Sequence, residues 1–276
     1  MKIPLFYIDA FTSDVFNGNQ AAVCLLKTWL PDDVLQSIAA EHNLSETAFV
    51  VKEDKEVFQL KWFTPRVQVN LCGHATLAAA HVLFSIYSFG NKPIRFKTKS
   101  GILSASQSLD GKITLDFPAF KLNPYIGASM DVSQALGIKF SEIYKSRDIF
   151  VVLEKEKDII NLMPDFSLMK KLDCLGIIVT APGSDCDFVS RFFAPAAGID
   201  EDPVTGSAHS SLVPFWSVRL NKTSLFARQL SLRTGELWCE MKGDRVLISG
   251  FALAYMQGTI NIKITPSTIL IPFKAI

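Results

Sequence analysis

One acid and two glycine turns hold most of the chemistry this sequence offers. Glu46 stands in Asn43-Leu44-Ser45-Glu46-Thr47-Ala48-Phe49-Val50, just before an apolar strand. Cys72-Gly73-His74-Ala75 and Thr205-Gly206-Ser207-Ala208 each open onto a largely apolar stretch long enough for a helix. A helix start leaves about four backbone N–H groups without an intrahelical acceptor, and its dipole favours an anion by about 0.3–1 kcal/mol at exposed sites. Two such starts facing one cleft would clamp a carboxylate. For one turn alone, a glycine that only lets the chain bend before a buried helix is the better explanation. Their recurrence at equivalent places favours the anion.

Other residues join this set with a bland reading beside each. Taken alone, Glu46 reads as an ordinary solvated acid. Asp202, in Glu201-Asp202-Pro203, either aims a second carboxylate at the same cleft or belongs to an acidic capping cluster. Cys72 and Thr205 are equivalent residues of the two turns. A pair of thiolates there could move protons on opposite faces of one carbon, but a threonine hydroxyl is far too weak an acid for that. His74 and His81 are seven apart and share a helix face. Packing or capping explains them better than a metal, and no histidine and cysteine fall at zinc-ligand spacing, so no metal is expected.

The elements that must position these groups are written twice. Phe58-Gln-Leu-Lys-Trp-Phe-Thr-Pro65 returns as Phe188-Val-Ser-Arg-Phe-Phe-Ala-Pro195, a spacing of 188 − 58 = 130, and Ser100-Gly101-Ile102-Leu103 as Thr234-Gly235-Glu236-Leu237. A repeat this long is a domain rather than a solenoid unit. Strands are expected at Pro4–Phe11, Ala21–Leu26, Thr47–Val51, Phe58–Phe63, Ile94–Thr98, Ile102–Ser106 and Lys112–Asp116, then at Ser231–Arg233, Leu237–Met241 and Arg245–Ser249. A helix starting at Pro31 should stop near His42-Asn43, because asparagine tolerates the left-handed cap. Helices over Gly73–Phe84 and Ser210–Leu220 follow the glycine turns. The first has almost no polar face and must be enclosed on nearly all sides, which implies a curled sheet around a central helix. Asn123, Pro124 and Gly127 place the boundary between halves near Lys121–Gly127, giving domains 1–122 and 123–276 with the active site between them.

Composition excludes other classes. Of 276 residues, 49% are hydrophobic and 20% charged, ordinary for a globular protein with a real core. The formal net charge of +1 and the lack of a basic patch interleaved with aromatics argue against nucleic acid. No apolar run reaches membrane-spanning length, and residues 1–10 do not read as a secretion signal. Five scattered cysteines favour reduced thiols in a cytoplasm.

The longer motifs carry a resemblance. Leu44-Ser45-Glu46-Thr47-Ala48-Phe49-Val50, Trp62-Phe63-Thr64-Pro65, Leu71-Cys72-Gly73-His74-Ala75-Thr76-Leu77-Ala78 and Glu201-Asp202-Pro203-Val204-Thr205-Gly206-Ser207-Ala208-His209 resemble the signatures of the phenazine-biosynthesis isomerase (PhzF-like) family. Phe11, Phe16-Asn17-Gly18-Asn19 and Ala22-Val23 resemble its amino-terminal pattern. The resemblance runs over about residues 3–259. It implies an α+β fold similar to diaminopimelate epimerase, with two pseudo-symmetric halves, each a rolled, mostly antiparallel sheet around a central helix. It further implies a homodimer and a cofactor-independent isomerase that shifts a proton within a small carboxylate-bearing substrate. Glu46 would be the acid/base and His74, Asp202 and Ser207 its polar partners. Backbone N–H groups of Gly73, His74, Gly206 and Ser207 would hold the carboxylate, and Asn19, Cys72 and Thr205 would line the site. An amino-acid epimerase using Cys72, and a non-catalytic binding protein on the same scaffold, are the alternatives. Gln68-Val69-Asn70 stands where many relatives carry an acid, and the tail from Ile260 to Ile276 runs past the usual family end and is expected to add an edge strand or cover a partner.

Overall fold

Alternating buried side chains govern the strands of the computed structural model, which describes residues 1–89 and 92–263. Its elements begin with β1 (Lys2–Ala10), β2 (Asn19–Leu26), α1 (Asp32–His42), β3 (Glu46–Lys52), β4 (Val57–Phe63), β5 (Gln68–Val69), α2 (Gly73–Ile86), β6 (Ile94–Thr98) and β7 (Gly101–Gln107). There follow β8 (Ile113–Pro118), β9 (Asn123–Pro124), α3 (Ser129–Leu136), β10 (Glu142–Lys145), β11 (Ile149–Val152), α4 (Glu156–Ile160), α5 (Phe166–Met169), β12 (Ile177–Pro182) and β13 (Phe188–Ala194). The chain continues through β14 (Ile199–Asp202), a 3-10 turn (Gly206–Ala208), α6 (His209–Leu220), β15 (Ser224–Gln229), β16 (Gly235–Lys242), β17 (Arg245–Gly250) and β18 (Ala252–Asn261).

These elements form two compact units. Residues 1–15 and 20–113 with the last strand make the first, and residues 16–19 and 114–250 the second. The division differs from contiguous domains 1–122 and 123–276. The reason is β18, which pairs antiparallel with β1 from Lys2 opposite Asn261 to Ala10 opposite Ala252 and so returns the end of the chain to the first unit. Of the tail, Ile260 and Asn261 close that pairing opposite Ile3 and Lys2, and residues 264–276 lie outside the described residues.

In the first unit β2 runs parallel to β3, β3 antiparallel to β4, β4 parallel to β6, and β6 antiparallel to β7. Ala22, Cys24 and Leu26 of β2 and Phe49 and Val51 of β3 point to one face, where Val34, Leu35, Ile38 and Ala39 of α1 cover them. The intervening residues point to the other face, against which α2 packs, along with β1, β7 and β18. Strands covered on both faces read as unbroken apolar runs, and Glu46–Val51 is buried throughout. Helix α2 is buried on nearly all sides through Gly73–Ala80, Val82 and Leu83, the enclosure its apolar sequence required. Helix α1 ends at Asn43, whose φ of 49° is left-handed as anticipated. Asn43→Val should therefore cost about 1–2 kcal/mol in chemical denaturation, because a β-branched residue fits that conformation poorly.

The second unit repeats the pairing order. β11 runs parallel to β12, β12 antiparallel to β13, β13 parallel to β15, and β15 antiparallel to β16. Helices α3, α4 and α5 cover one face through Val132, Leu136, Ile159 and Met169. Helix α6 takes the other. Its Trp216 stacks on Phe188 at 5.7 Å, and the indole N–H donates to Thr180 Oγ1 at 3.0 Å. Pro214 lies inside α6 and cannot donate to the carbonyl four residues earlier. That carbonyl, of Ser210, instead accepts from the backbone N–H of Phe120 at 2.8 Å.

One expected strand is absent. Ser231–Arg233 forms a turn, in which the Thr234 N–H donates to Ser231 Oγ at 3.1 Å and Thr234 takes a φ of 51°. The strand that pairs with β16 lies earlier, at Ser224–Gln229.

Candidate active site

Glu46 opens β3 and is held opposite Ala21 of the parallel strand β2. It is 8% exposed, so the solvated acid suggested by its polarity is excluded. Cys72 precedes the first residue of α2 and His74 is its second. These three side chains converge in the first unit. Glu46 Oε2 lies 3.0 Å from His74 Nε2, and Cys72 Sγ lies 3.6 Å from His74 Nδ1. Their thiol, imidazole and carboxylate donor atoms all lie within 4.8 Å of one another. Linear spacing gave no sign of a cysteine–histidine pair, because the partners are only two residues apart and the turn at the helix start brings them together.

Burial disfavours a charged His74. The Cys72 sulfur and the Glu46 carboxylate outweigh it and hold the imidazole well above its ordinary range. Burial, reinforced by Glu46, pushes the Cys72 thiol up to about 11, so it is protonated at neutral pH. Glu46 Oε2 is fully buried against the His74 ring. A carboxylate oxygen so placed can accept a proton from a carbon acid, while the imidazolium fixes its position. The α2 start brings the positive end of a helix dipole beside the same cluster, suited to an anion. His81 lies further along α2, where burial lowers its pKa, and it takes no part in the cluster.

In the second unit Asp202 ends β14, and alternation along that strand separates it from Glu201. Glu201 is held by the Arg191 guanidinium at 2.7 and 2.8 Å. Asp202 turns the other way, into a buried network. Asn19 donates to Asp202 Oδ1 at 2.7 Å and to the Val204 carbonyl at 2.9 Å. The Thr205 hydroxyl donates to Asp202 Oδ2 at 2.5 Å. The acids of this segment therefore do not form a capping cluster. Gln229 ties the loop together, accepting from the Thr205 N–H at 2.8 Å and donating to the Asp202 carbonyl at 2.7 Å and Thr205 Oγ1 at 3.1 Å. His209 Nδ1–H donates to the Thr205 carbonyl at 2.9 Å, and burial lowers its pKa to about 4, so it is neutral.

Ser207, in the turn after Gly206, contacts Arg147, whose Nη2 donates to its Oγ at 3.2 Å. Arg147 is braced by Asp148 through Nε at 3.0 Å and Nη2 at 2.7 Å.

The structure thus gathers Glu46, Cys72, Gly73 and His74 in one unit, and Asn19, Asp202, Thr205, Gly206 and Ser207 in the other. Sequence reasoning missed Gln229, Arg147 and Asp148. Gln229 had a signal: in β15 it follows Leu225 and Ala227 on the buried face, where a polar residue demands partners. Gln68 and Asn70, flagged for their departure from the acid of many relatives, contact Lys99 and Ser100 respectively.

With this geometry in place, comparison with known proteins is informative. Residues 8–258 match the model of the phenazine biosynthesis-like protein family. An uncharacterized isomerase of Pseudomonas aeruginosa is 49% identical over 264 residues, covering 95% of this chain and 100% of that one. A PhzF-family phenazine biosynthesis protein of Enterococcus faecalis superposes with a TM-score of 0.90 at 47% identity, covering 95% of this chain and 100% of that chain. A predicted epimerase of Pseudomonas aeruginosa superposes with a TM-score of 0.78 at 16% identity, over 95% of this chain and 100% of that one, and shares the fold. The fold is α+β and epimerase-like, and the chain belongs to the phenazine biosynthesis-like (PhzC/PhzF) family.

Proposed function

We propose that the protein is a cofactor-independent isomerase that moves a proton within a small carboxylate-bearing substrate, with Glu46 as the shuttle. The observation that carries this reading is the buried Glu46 carboxylate, whose Oε2 lies 3.0 Å from His74 at the head of α2. The isomerase names of the relatives support the reaction class. In the proposed step Glu46 takes the proton from an acidic carbon and the C–H electron pair moves into the conjugated system. The double bond shifts, and the same carboxyl returns the proton to the distal carbon. His74 holds Glu46 in place, and the α2 start at Gly73 stabilises negative charge that develops on the substrate. Asp202 and Ser207 are assigned to recognition of substrate polar groups. The reading includes a cytoplasmic homodimer.

The test is solvent exchange. A panel of amino and hydroxy acids is incubated with protein in deuterated water, and deuterium at carbon is followed by mass spectrometry for wild type and Glu46→Gln. Exchange equal in the two would refute the assignment.

A Cys72-based epimerase is the rival, favoured only by the closeness of Cys72 to the cluster. A buried thiol held at about 11 is a poor base at neutral pH, and Thr205, the equivalent residue, has its hydroxyl committed to Asp202. Cys72→Ala should leave the exchange rate within about tenfold of wild type, whereas loss of a true general base costs about 10²–10⁴-fold. A loss of the latter size would transfer the role to Cys72.

A further inference from the structure

Arg147 has a donor edge that no described residue uses. Of its five N–H groups, Nε–H and one on Nη2 go to Asp148 Oδ2 and the other on Nη2 to Ser207 Oγ. Among the described residues no acceptor takes the Nη1 edge. The side chain is 33% exposed, so that edge is within reach of a ligand. Ser207 Oγ, by accepting from Arg147, keeps its own hydrogen to donate. A guanidinium edge and a hydroxyl donor therefore lie side by side in the turn that opens α6.

The brace behind them is costly. The Asp148 side chain is only 3% exposed, both Arg147 bonds fall on Oδ2, and Oδ1 is buried without a hydrogen-bond partner. A pair in which one ion is so deeply buried adds little net stability, since desolvation offsets the attraction. It does fix the plane of the guanidinium, as bidentate recognition of a carboxylate requires. The neighbouring Ser146 is also tied in, through Ser211 at 2.9 Å, so the segment is anchored on both sides of Arg147.

We propose that Arg147 is a specificity-determining residue that recognises a carboxylate of the substrate through its Nη1 edge together with the Ser207 hydroxyl. The inference rests on the reading above that the substrate is a small acid using the Gly206–Ser207 turn, and it adds a side chain that selects for charge. A backbone N–H donates to a neutral carbonyl or a carboxylate alike, but a guanidinium edge prefers the anion.

The test uses benzoate and benzamide, which match in shape and differ in charge. Binding to the full chain is measured by titration while following the amide resonances of Gly206 and Ser207 and the Arg147 Nε–H resonance. Wild type should bind benzoate at least about tenfold more tightly than benzamide, with all three resonances moving. Arg147→Met should lose about tenfold in benzoate affinity and leave benzamide unchanged, abolishing the discrimination. Arg147→Lys retains charge beside Asp148 and should lose part of the preference; it carries the test by the same comparison if the methionine variant does not fold. Glu46→Gln should lose deuterium exchange while benzoate still moves the Gly206, Ser207 and Arg147 resonances, so failure of proton transfer and failure of recognition are read separately. Equal affinity of wild type for the two probes, or unchanged benzoate binding in a folded Arg147 variant, would overturn the proposal.

Discussion

Glu46→Gln should remove carbon-bound hydrogen exchange by about 10²–10⁴-fold, the usual contribution of a positioned general base, while leaving the fold intact. The substitution keeps side-chain length and planarity, so the packing of a residue 8% exposed is preserved. It removes the carboxylate from a cluster in which the thiol, pushed up to about 11, is protonated at neutral pH and the imidazole is held well above its ordinary range. Without the carboxylate, part of the stabilisation that raised His74 is lost, so the imidazole should become easier to deprotonate. Proton titration of the His74 ring by NMR therefore gives a second readout: its pKa should fall in the variant. A fall in the His74 pKa with exchange unchanged would show that the pair exists but does no chemistry. A loss of exchange below about tenfold would point to another base.

Much of this arrangement was legible because apolar pattern and glycine placement are local. The 130-residue echo gave the duplicated strands, now β4 with β13, and the all-apolar run after Gly73 required an enclosed helix. The Asn43 cap followed from a single side chain that tolerates the left-handed region. What stayed hidden depends on contacts distant in sequence. Composition makes Glu46 an exposed acid, and only its parallel pairing beside Ala21 of β2 shows that it is covered. The contiguous domain boundary failed for the same reason, since nothing local in Ala252–Asn261 says that its partner is β1. Ser231–Arg233 misled because its serine serves the turn, donating to the Pro203 carbonyl, rather than a strand ladder. Pro214 would ordinarily argue against a continuous helix. Its disturbance is absorbed by Phe120, nearly one hundred residues away, which no local pattern can disclose.

The same long-range logic makes Gln229→Leu the substitution with the largest expected effect on stability, about 2–4 kcal/mol by chemical denaturation. Leucine fills a similar volume and is content at a fully buried position, so neither a cavity nor overpacking is the cause. The cost comes from the partners left behind. The Thr205 N–H loses its acceptor and the Asp202 carbonyl its donor, and a buried polar group stripped of its partner costs about 1–3 kcal/mol. The Thr205 hydroxyl loses a donor too but keeps its bond to Asp202, so it adds little. Asn19→Ala offers the contrast, since it removes the donor to the Asp202 carboxylate and to the Val204 carbonyl but leaves the Thr205 N–H and the Asp202 carbonyl tied to Gln229. If the network positions Asp202 and the turn after it, Gln229→Leu should also broaden or shift the backbone resonances of residues 202–207, whereas Asn19→Ala should perturb them less. A loss under about 1 kcal/mol with those resonances unmoved would mean that the loop is held by its packing, and that Gln229 merely fills space beneath it.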